Sequence, residues 1–199
     1  MSLREFYELE GEHTTRYGAA EQGYWLERYH AKRFRYICQI LQRVVPQGAS
    51  FADIGCGEGE YLAHVGARAG ALYGCDLARS YLRRVRGKNI GAQLVAADAT
   101  RLPFKDQSFD VVLCSEVIEH VPDLEAALRE LLRVSRHRLI ITTPNRGLRW
   151  KAGEALGVDV KKASQKVGHI HILNAREWRR RLAQVQGWKV ETLRTRHIL

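Results

Sequence analysis

The sequence predicts a doubly wound α/β fold with a mostly parallel sheet. The first observation is the stretch Ser50 to Glu60, where a short apolar run breaks into glycines at every second position and leads into a helical pattern. Glycines in such a turn adopt backbone angles denied to other residues and let a ligand approach the main chain. The second observation is that three later apolar runs each end at a polar residue: Asp76, Asp98 and Ser115. Open parallel sheets bind their ligands at the carboxyl ends of their strands.

The first half of the chain gives its elements in order by apolar periodicity and turn signals. Tyr24 to Val45 has helical spacing and stops at Pro46. The elements that follow are a strand at 50–54, a helix at 59–69 ended by Gly70, a strand at 71–75 that leads into Asp76, and a basic helix at 78–86 closed by Gly87. The arginines of that basic helix are expected to face water.

The second half predicts strands at 93–97, 109–114 and 138–142, with a helix between the last two that begins at Pro122-Asp123. Residues 146–168 have no strand pattern and are expected to form an insertion, with a short helix at about 151–156. Asn174, followed three residues later by Glu177, predicts a capping box for a last helix that runs to about Gln186. Residues 188–195 are predicted to form a sixth strand.

Composition indicates one globular domain. The 199 residues are enough for a full core, and 45% hydrophobic with 27% charged residues is ordinary for such proteins. No apolar run approaches the roughly 18 residues of a membrane helix. The N-terminus lacks the apolar core of a signal peptide. The four cysteines, without a C-x-x-C spacing, are expected to be free thiols in a cytoplasmic protein: Cys38, Cys56, Cys75 and Cys114.

The net charge of +10 is concentrated in the last third of the chain. Residues 129–199 contain 17 Lys and Arg against 5 Asp and Glu, so the remaining residues are close to neutral. Such a distribution suits an anionic partner, which could be RNA, a phosphorylated metabolite or a membrane surface. A solvated, arginine-rich surface explains it equally well.

Four motifs together resemble the class I S-adenosylmethionine-dependent methyltransferases, of the small type-11-like kind. They are D-I-G-C-G-E-G from Asp53, the acid Asp76, A-A-D-A-T-R-L-P-F from Ala96, and S-F-D-V-V-L-C-S-E-V-I-E-H-V from Ser108. The resemblance covers residues 50–145 and implies a Rossmann-like methyltransferase fold. It implies S-adenosylmethionine as cofactor and says little about the acceptor.

The resemblance also implies a cofactor site. Asp53, Gly55, Cys56 and Gly57 would hold the amino-acid end of the cofactor. Asp76, 17 residues after Gly59, would accept both ribose hydroxyls, as a carboxylate can. Three residues would surround the adenine and one would line the floor near the methyl group: Leu77, Asp98, Ala99 and Ser115. Helix capping is the alternative role for Asp76 and Asp98.

Catalytic candidates follow the fourth strand. His120 is the predicted general base, and Glu116 is predicted beside it near the methyl group. Glu116, Glu119 and His120, with His169 or His171, also resemble the metal site of small-RNA 2′-O-methyltransferases and ubiquinone-pathway O-methyltransferases. No metal is the favoured prediction, because E-V-I-E-H-V also occurs in relatives without one; a divalent ion at Glu116, Glu119, His120 and His169 is the alternative.

We expect a single methyltransferase domain over residues 1–199. Its parts would be an N-terminal helical lid segment at 1–48, a cofactor-binding core at 49–145, a substrate-side insertion at 146–170, and the last helix and strand at 171–199. By analogy the lid would bring aromatic and basic residues to the pocket, and the candidates are Tyr17, Tyr24, Trp25, Arg28 and His30. The favoured alternative is that Trp25 and Tyr29 pack the helix onto the sheet. The family's last edge strand is expected to be missing or short, which leaves a monomer or a homodimer open.

Three function classes remain. The favoured one is methyl transfer to a small molecule that is anionic or resembles a quinol or lipid. The alternative is an RNA methyltransferase, supported by the basic last third and the E-x-x-E-H pattern. The third is a noncatalytic cofactor-binding partner, against which the intact motifs argue.

Overall fold

The computed structural model describes residues 24–144 and 168–183, with side chains of the first helix described from His30 onward. The strands are β1 (Ser50–Ile54), β2 (Ala71–Asp76), β3 (Gln93–Ala96), β4 (Phe109–Ser115) and β5 (Ser135–Thr142). The helices are α1 (Tyr24–Val44), α2 (Glu60–Val65), α3 (Arg79–Gly87), α4 (Leu124–Val134) and α5 (Ala175–Leu182), with a 3-10 turn at Ile118–His120.

The five strands form one sheet in the order β3-β2-β1-β4-β5, and every described pairing is parallel. In β1, Asp53 is aligned with Gly74 of β2 and with Leu113 of β4. The chain moves outward from β1 to β3 and then returns across the sheet to β4. The direction of winding therefore reverses between β1 and β4, and in such sheets the ligand crevice opens at the carboxyl ends of those two strands.

Alternating side chains of the strands divide the core between the two faces of the sheet. Phe51, Val111 and Leu113 belong to a cluster that takes in residues of α1, α2 and α3. Ala52 and Val112 belong to the opposite cluster, with residues of α4 and α5. Helices therefore cover both faces, as the predicted doubly wound fold requires.

Several predicted boundaries are wrong by a few residues. The helix after β1 ends at Val65 with Gly66 as its C-cap, rather than at Ala69. Gly70 has a packing role instead, because a Cβ there would lie 2.3 Å from the carbonyl oxygen of Gly48. β5 begins at Ser135, three residues earlier than predicted.

Other local predictions can also be compared with the structure. The capping box is confirmed: the side chain of Asn174 accepts from the N–H of Glu177, and the Glu177 carboxylate accepts from the N–H of Asn174. The four cysteines are confirmed as free thiols, and all are buried. The expectation that the arginines of α3 face water is wrong for Arg84, whose Nε lies 3.3 Å from Glu58.

Some predictions fall outside the described residues. They concern Tyr17, the side chains of Tyr24, Trp25, Arg28 and Tyr29, the insertion up to residue 167, the end of the last helix at Gln186, the sixth strand at 188–195 and the missing edge strand. Within the described ranges, no helix combines the length and the apolarity that crossing a bilayer requires.

Candidate functional site

The turn after β1 folds tightly against the end of β2. Gly55 and Gly59 have φ values of +78° and +75°, in the left-handed region that favours glycine. The N–H groups of Gly55 and Cys56 both donate to the carbonyl of Cys75, at 2.7 and 2.9 Å. These two N–H groups are therefore bonded within the fold.

Two acids flank this turn. Asp53 is 1% exposed inside β1. Asp76, at the end of β2, accepts the N–H of Gly57 on Oδ2 and the N–H of Ala78 on Oδ1, each at 2.9 Å. Burial is the main reason that the pKa of the Cys56 thiol is raised, and the charges of Asp53 and Asp76 raise it further. Cys56 is therefore a neutral thiol beneath the turn.

The predicted adenine-side residues lie at the ends of β2 and β3. Asp98 is exposed, and its Oδ1 accepts from both the N–H and the hydroxyl of Thr100 at 2.8 Å. Leu77 is half-buried, and Ala99 packs against the core cluster on the α4 face. Asp76 and Asp98 thus each bond to nearby main-chain N–H groups, but neither is the N-cap of a helix, because the N-cap of the helix after β2 is Ala78.

A network of polar side chains joins the ends of β4 and β5 to α1. The hydroxyls of Ser115 and Thr142 lie 2.9 Å apart, and that of Thr142 donates to Glu116 Oε1 at 3.0 Å. The other carboxylate oxygen of Glu116 accepts from Arg33 at 2.9 Å. Glu116 itself has a φ of +55°, and its N–H donates to the carbonyl of Thr142. The predicted catalytic carboxylate is therefore already ion-paired.

Glu119 lies fully buried three residues further on. Burial raises the pKa of its carboxyl well above the usual range, and the charge of Glu116 adds to that effect, although the charge of Arg33 opposes it. The Glu119 carbonyl accepts the N–H groups of Ile170 and His171, at 2.7 and 3.0 Å. Glu119 therefore ties residues 168–171 to the 3-10 turn.

The candidate base His120 is the last residue of the 3-10 turn and contacts Gly168 and His169. Its Nδ1 is 3.1 Å from the carbonyl oxygen of Gly168. A carbonyl only accepts, so this contact places the proton on Nδ1 and makes Nε2, which lies 3.9 Å from Glu119 Oε1, the accepting nitrogen. The His169 ring meets the His120 ring edge-on, with centroids 4.8 Å apart, and burial lowers the pKa of His169. His171 is directed elsewhere, with Nε2 3.3 Å from the carbonyl of Pro122.

The four residues of the alternative metal site do not all converge. Ligand atoms of Glu119, His120 and His169 lie within 4.8 Å of one another. Glu116 is not part of this group, and its carboxylate is paired with Arg33. We therefore base no function on a metal here.

Sequence reasoning missed Arg33 and Thr142. Arg33 is 9% exposed and precedes the buried Ile37 and Leu41 at intervals of four residues. A charged residue on the apolar stripe of a helix is a signal of a buried ion pair. Thr142 gave no such signal, because a threonine at the end of a strand is ordinary. Among the predicted lid residues with described side chains, His30 is half-buried on α1.

Comparisons with known proteins place the sheet of this chain among methyltransferases. Residues 52–140 match a sequence family described as "Methyltransferase domain". The chain is 35% identical over 106 residues to "Probable tRNA methyltransferase 9B" of Mus musculus, a match that covers 53% of this chain and 23% of that protein. It is 34% identical over 125 residues to norajmaline N-methyltransferase of Rauvolfia serpentina, covering 58% and 42%. The chain thus spans less than half the length of these curated relatives.

Among solved structures, magnesium protoporphyrin IX methyltransferase from Synechocystis PCC 6803, with bound SAH, is similar with a TM-score of 0.66. The two proteins are 19% identical, and the match covers 78% of this chain and 76% of the other. At that identity the likeness is one of fold. The predicted Rossmann-like sheet with flanking helices is confirmed.

Proposed function

Residues 52–140 match a methyltransferase domain family, and we propose that this chain is a class I S-adenosylmethionine-dependent methyltransferase that transfers a methyl group to a small-molecule acceptor. The observation that carries the proposal is the position of Asp76. Its carboxylate ends β2 and is bonded to Gly57 in the glycine turn, beside the point where the winding of the sheet reverses. That is where doubly wound sheets bind nucleotides.

The residues around the turn fit the proposed cofactor. Bound S-adenosylmethionine supplies a methyl group on a cationic sulfur. Each Asp76 oxygen has a second lone pair, so the carboxylate can accept ribose hydroxyls while it keeps its two main-chain bonds. The amino-acid end of the cofactor is assigned to the main chain of the turn at Gly55 and Gly57, beside Asp53. The adenine is assigned to the half-buried Leu77 and Ala99, with Asp98 at its amino group.

The acceptor side is assigned to the segment after β4. In-line transfer requires mainly that donor and acceptor are held at near-attack distance. Where the acceptor is a hydroxyl, His120 takes its proton on Nε2, because Nδ1 donates to the carbonyl of Gly168. The half-buried rings of His120 and His169 form one wall of this side.

Calorimetric titration with S-adenosylmethionine and S-adenosylhomocysteine tests the proposal. We expect micromolar binding by the wild-type protein and a loss of at least about 30-fold in Asp76→Ala, because two charge-assisted hydrogen bonds to the ribose are removed. Asp110→Asn is the control. Like Asp76, Asp110 accepts a main-chain hydrogen bond, here from Ser50, whose hydroxyl also donates to it, but Asp110 lies at the amino end of β4. Folded wild-type protein that binds neither compound would refute the proposal.

A second candidate function is methylation of RNA. The observation that favours it is an exposed arginine face on α5, formed by Arg176, Arg179 and Arg180 at helical spacing. These residues belong to the basic last third of the chain. A row of cations on one helix face suits a phosphate backbone.

Salt dependence separates the two candidates. If RNA is the acceptor, the affinity for a fluorescent RNA hairpin should fall about 10-fold or more between 50 and 200 mM salt. Replacing the three arginines by glutamine should flatten that slope. Replacement of Arg83 and Arg86, two exposed arginines of α3, is the control. If RNA binds weakly and its affinity depends on salt equally in both variants, the small-molecule proposal is the better one.

A further inference from the structure

One carboxylate connects three elements at the edge of the candidate site. Glu116 follows β4, accepts from Arg33 of α1 at 2.9 Å, and accepts from Thr142 of β5 at 3.0 Å. The Arg33 and Glu116 side chains are 11% and 12% exposed. An ion pair so well shielded, with both carboxylate oxygens engaged, holds its partners in fixed positions far better than a surface pair does.

The same carboxylate is attached to a strained stretch of backbone. Glu116 has a φ of +55°, a left-handed conformation that residues with a side chain adopt rarely. Its N–H donates to the carbonyl of Thr142 at 2.9 Å. The main chain and the side chain of Glu116 are therefore held by the same neighbour. Such conformations persist only where the surroundings fix them.

The next residue reaches the glycine turn. A Cβ built on Gly55 would lie 2.1 Å from Cγ2 of Val117, so Val117 fills the space that a side chain at position 55 would need. The direction of Val117 depends on the backbone of Glu116. A continuous series of contacts thus leads from Arg33 through Glu116 and Val117 to the turn at Gly55.

We propose that Arg33 is a positioning residue of the donor site. Through Glu116 it keeps Val117 against Gly55, and it thereby sets the shape of the turn that receives the cofactor. It also fixes α1 beside the carboxyl ends of β4 and β5. Arg33 needs no contact with the cofactor for this role. The inference rests on the proposed function, because it concerns the same donor site.

The test is a double-mutant cycle on S-adenosylhomocysteine binding, measured by calorimetry. Arg33→Gln and Glu116→Gln should each weaken binding about 10-fold, and the double variant should be no weaker than the poorer single variant. Arg33→Lys should recover part of the loss, because it restores the charge without the planar fork. Arg35→Gln, an exposed arginine on the same helix, should stay within about two-fold of the wild type.

Amide hydrogen exchange gives the second measurement. In Arg33→Gln, peptides that contain the turn at 55–59 should exchange faster than in the wild type, whereas peptides of α4 should not. A role in general stability alone would leave the affinity of the folded variant unchanged. Should Arg33→Gln fail to fold, the near-isosteric Glu116→Gln carries the test.

The outcomes are distinguishable. Wild-type protein that binds S-adenosylhomocysteine, with unchanged affinity in both single variants, would overturn this inference and leave the proposed function standing. Additive losses in the double variant would overturn it too, since they show that the two residues act separately. Wild-type protein that does not bind overturns the proposed function and this inference with it.

Discussion

At the scale of single residues, Glu119 has the most unusual environment in the site. Its carboxyl is fully buried, and its pKa is raised by burial and by the neighbouring Glu116. The folded state therefore binds a proton more tightly than the unfolded state, in which a glutamate titrates near pH 4.3. This preference contributes stability that is complete below about pH 4.3 and is lost as the pH rises through the folded pKa.

Glu119→Gln should remove that contribution. A glutamine has nearly the shape of protonated glutamic acid and does not titrate. The variant should approach or exceed the wild-type free energy of unfolding as the pH rises from 5 to 8, because only the wild type must keep a buried acid protonated or charged. Urea unfolding of both proteins at several pH values measures this. A constant difference across that range would contradict the assignment of Glu119 as a protonated acid.

His120→Gln tests the assigned base. For a hydroxyl acceptor, the variant should lose about 100-fold or more in kcat, because proton removal by a positioned side chain is typically worth that much. Its affinity for S-adenosylhomocysteine should stay within about two-fold, since His120 is assigned to the acceptor side. His137→Gln, at an exposed histidine near the start of β5, is the control. Equal loss of kcat in both variants would argue against the assignment.

At the scale of elements, Gly55 and Gly48 are glycines for different physical reasons. Gly55 and Gly48 both have a φ of +78°, but a Cβ on Gly55 would meet Val117 while a Cβ on Gly48 would meet nothing within 4 Å. Gly48→Ala should therefore lose only about 1–2 kcal/mol of stability, the penalty for a left-handed alanine.

Gly55→Ala should lose about 1–3 kcal/mol more than Gly48→Ala, because the new methyl group displaces Val117. It should also weaken S-adenosylhomocysteine binding, whereas Gly48→Ala should not. Urea unfolding and calorimetry measure the two effects separately. Equal stability losses at the two positions would mean that the Val117 contact yields without strain.

The elements differ in how well the sequence predicts them. β1 has the predicted bounds, because a polar loop and a glycine turn enclose its apolar run. α2 ends four residues earlier than predicted, since Gly66, and not the later Gly70, ends it. β5 starts early because Ser135 pairs with Phe109 of β4, although the polarity of residues 135–137 is typical of a loop. Arg136 and His137 lie in a register irregularity before Arg138 pairs with Val111. Pairing with a neighbouring strand overrode the local composition there.

At the scale of the whole molecule, the order of motifs was the strongest predictor. Each motif falls where a strand ends, so the doubly wound sheet places all of them along one edge. What the sequence did not predict is how these residues are held. The engagement of Glu116 by Arg33 joins positions 83 residues apart. The N–H groups of the turn are occupied by the end of β2, which also depends on pairing between strands.

The direct passage from α4 to β5 has a consequence for tolerance to insertion. α4 ends at Val134 and β5 begins at Ser135, whose hydroxyl donates to the carbonyl of Leu131 at 2.6 Å. No loop residue separates the two elements, and the pairing of β5 with β4 already contains one register irregularity, between Phe109 and Val111. Because side chains alternate along a strand, one extra residue there turns the apolar positions of β5 toward the wrong face unless the helix unwinds.

One alanine inserted between Val134 and Ser135 should therefore destabilise the protein beyond the about 0.5–3 kcal/mol of an ordinary substitution. One glycine inserted after the exposed Gly91 should be tolerated, because the loop between α3 and β3 can lengthen outward. Urea unfolding of the two insertion variants makes the comparison. Insertions should therefore be tolerated in the loop after Gly91 and not at the junction between Val134 and Ser135.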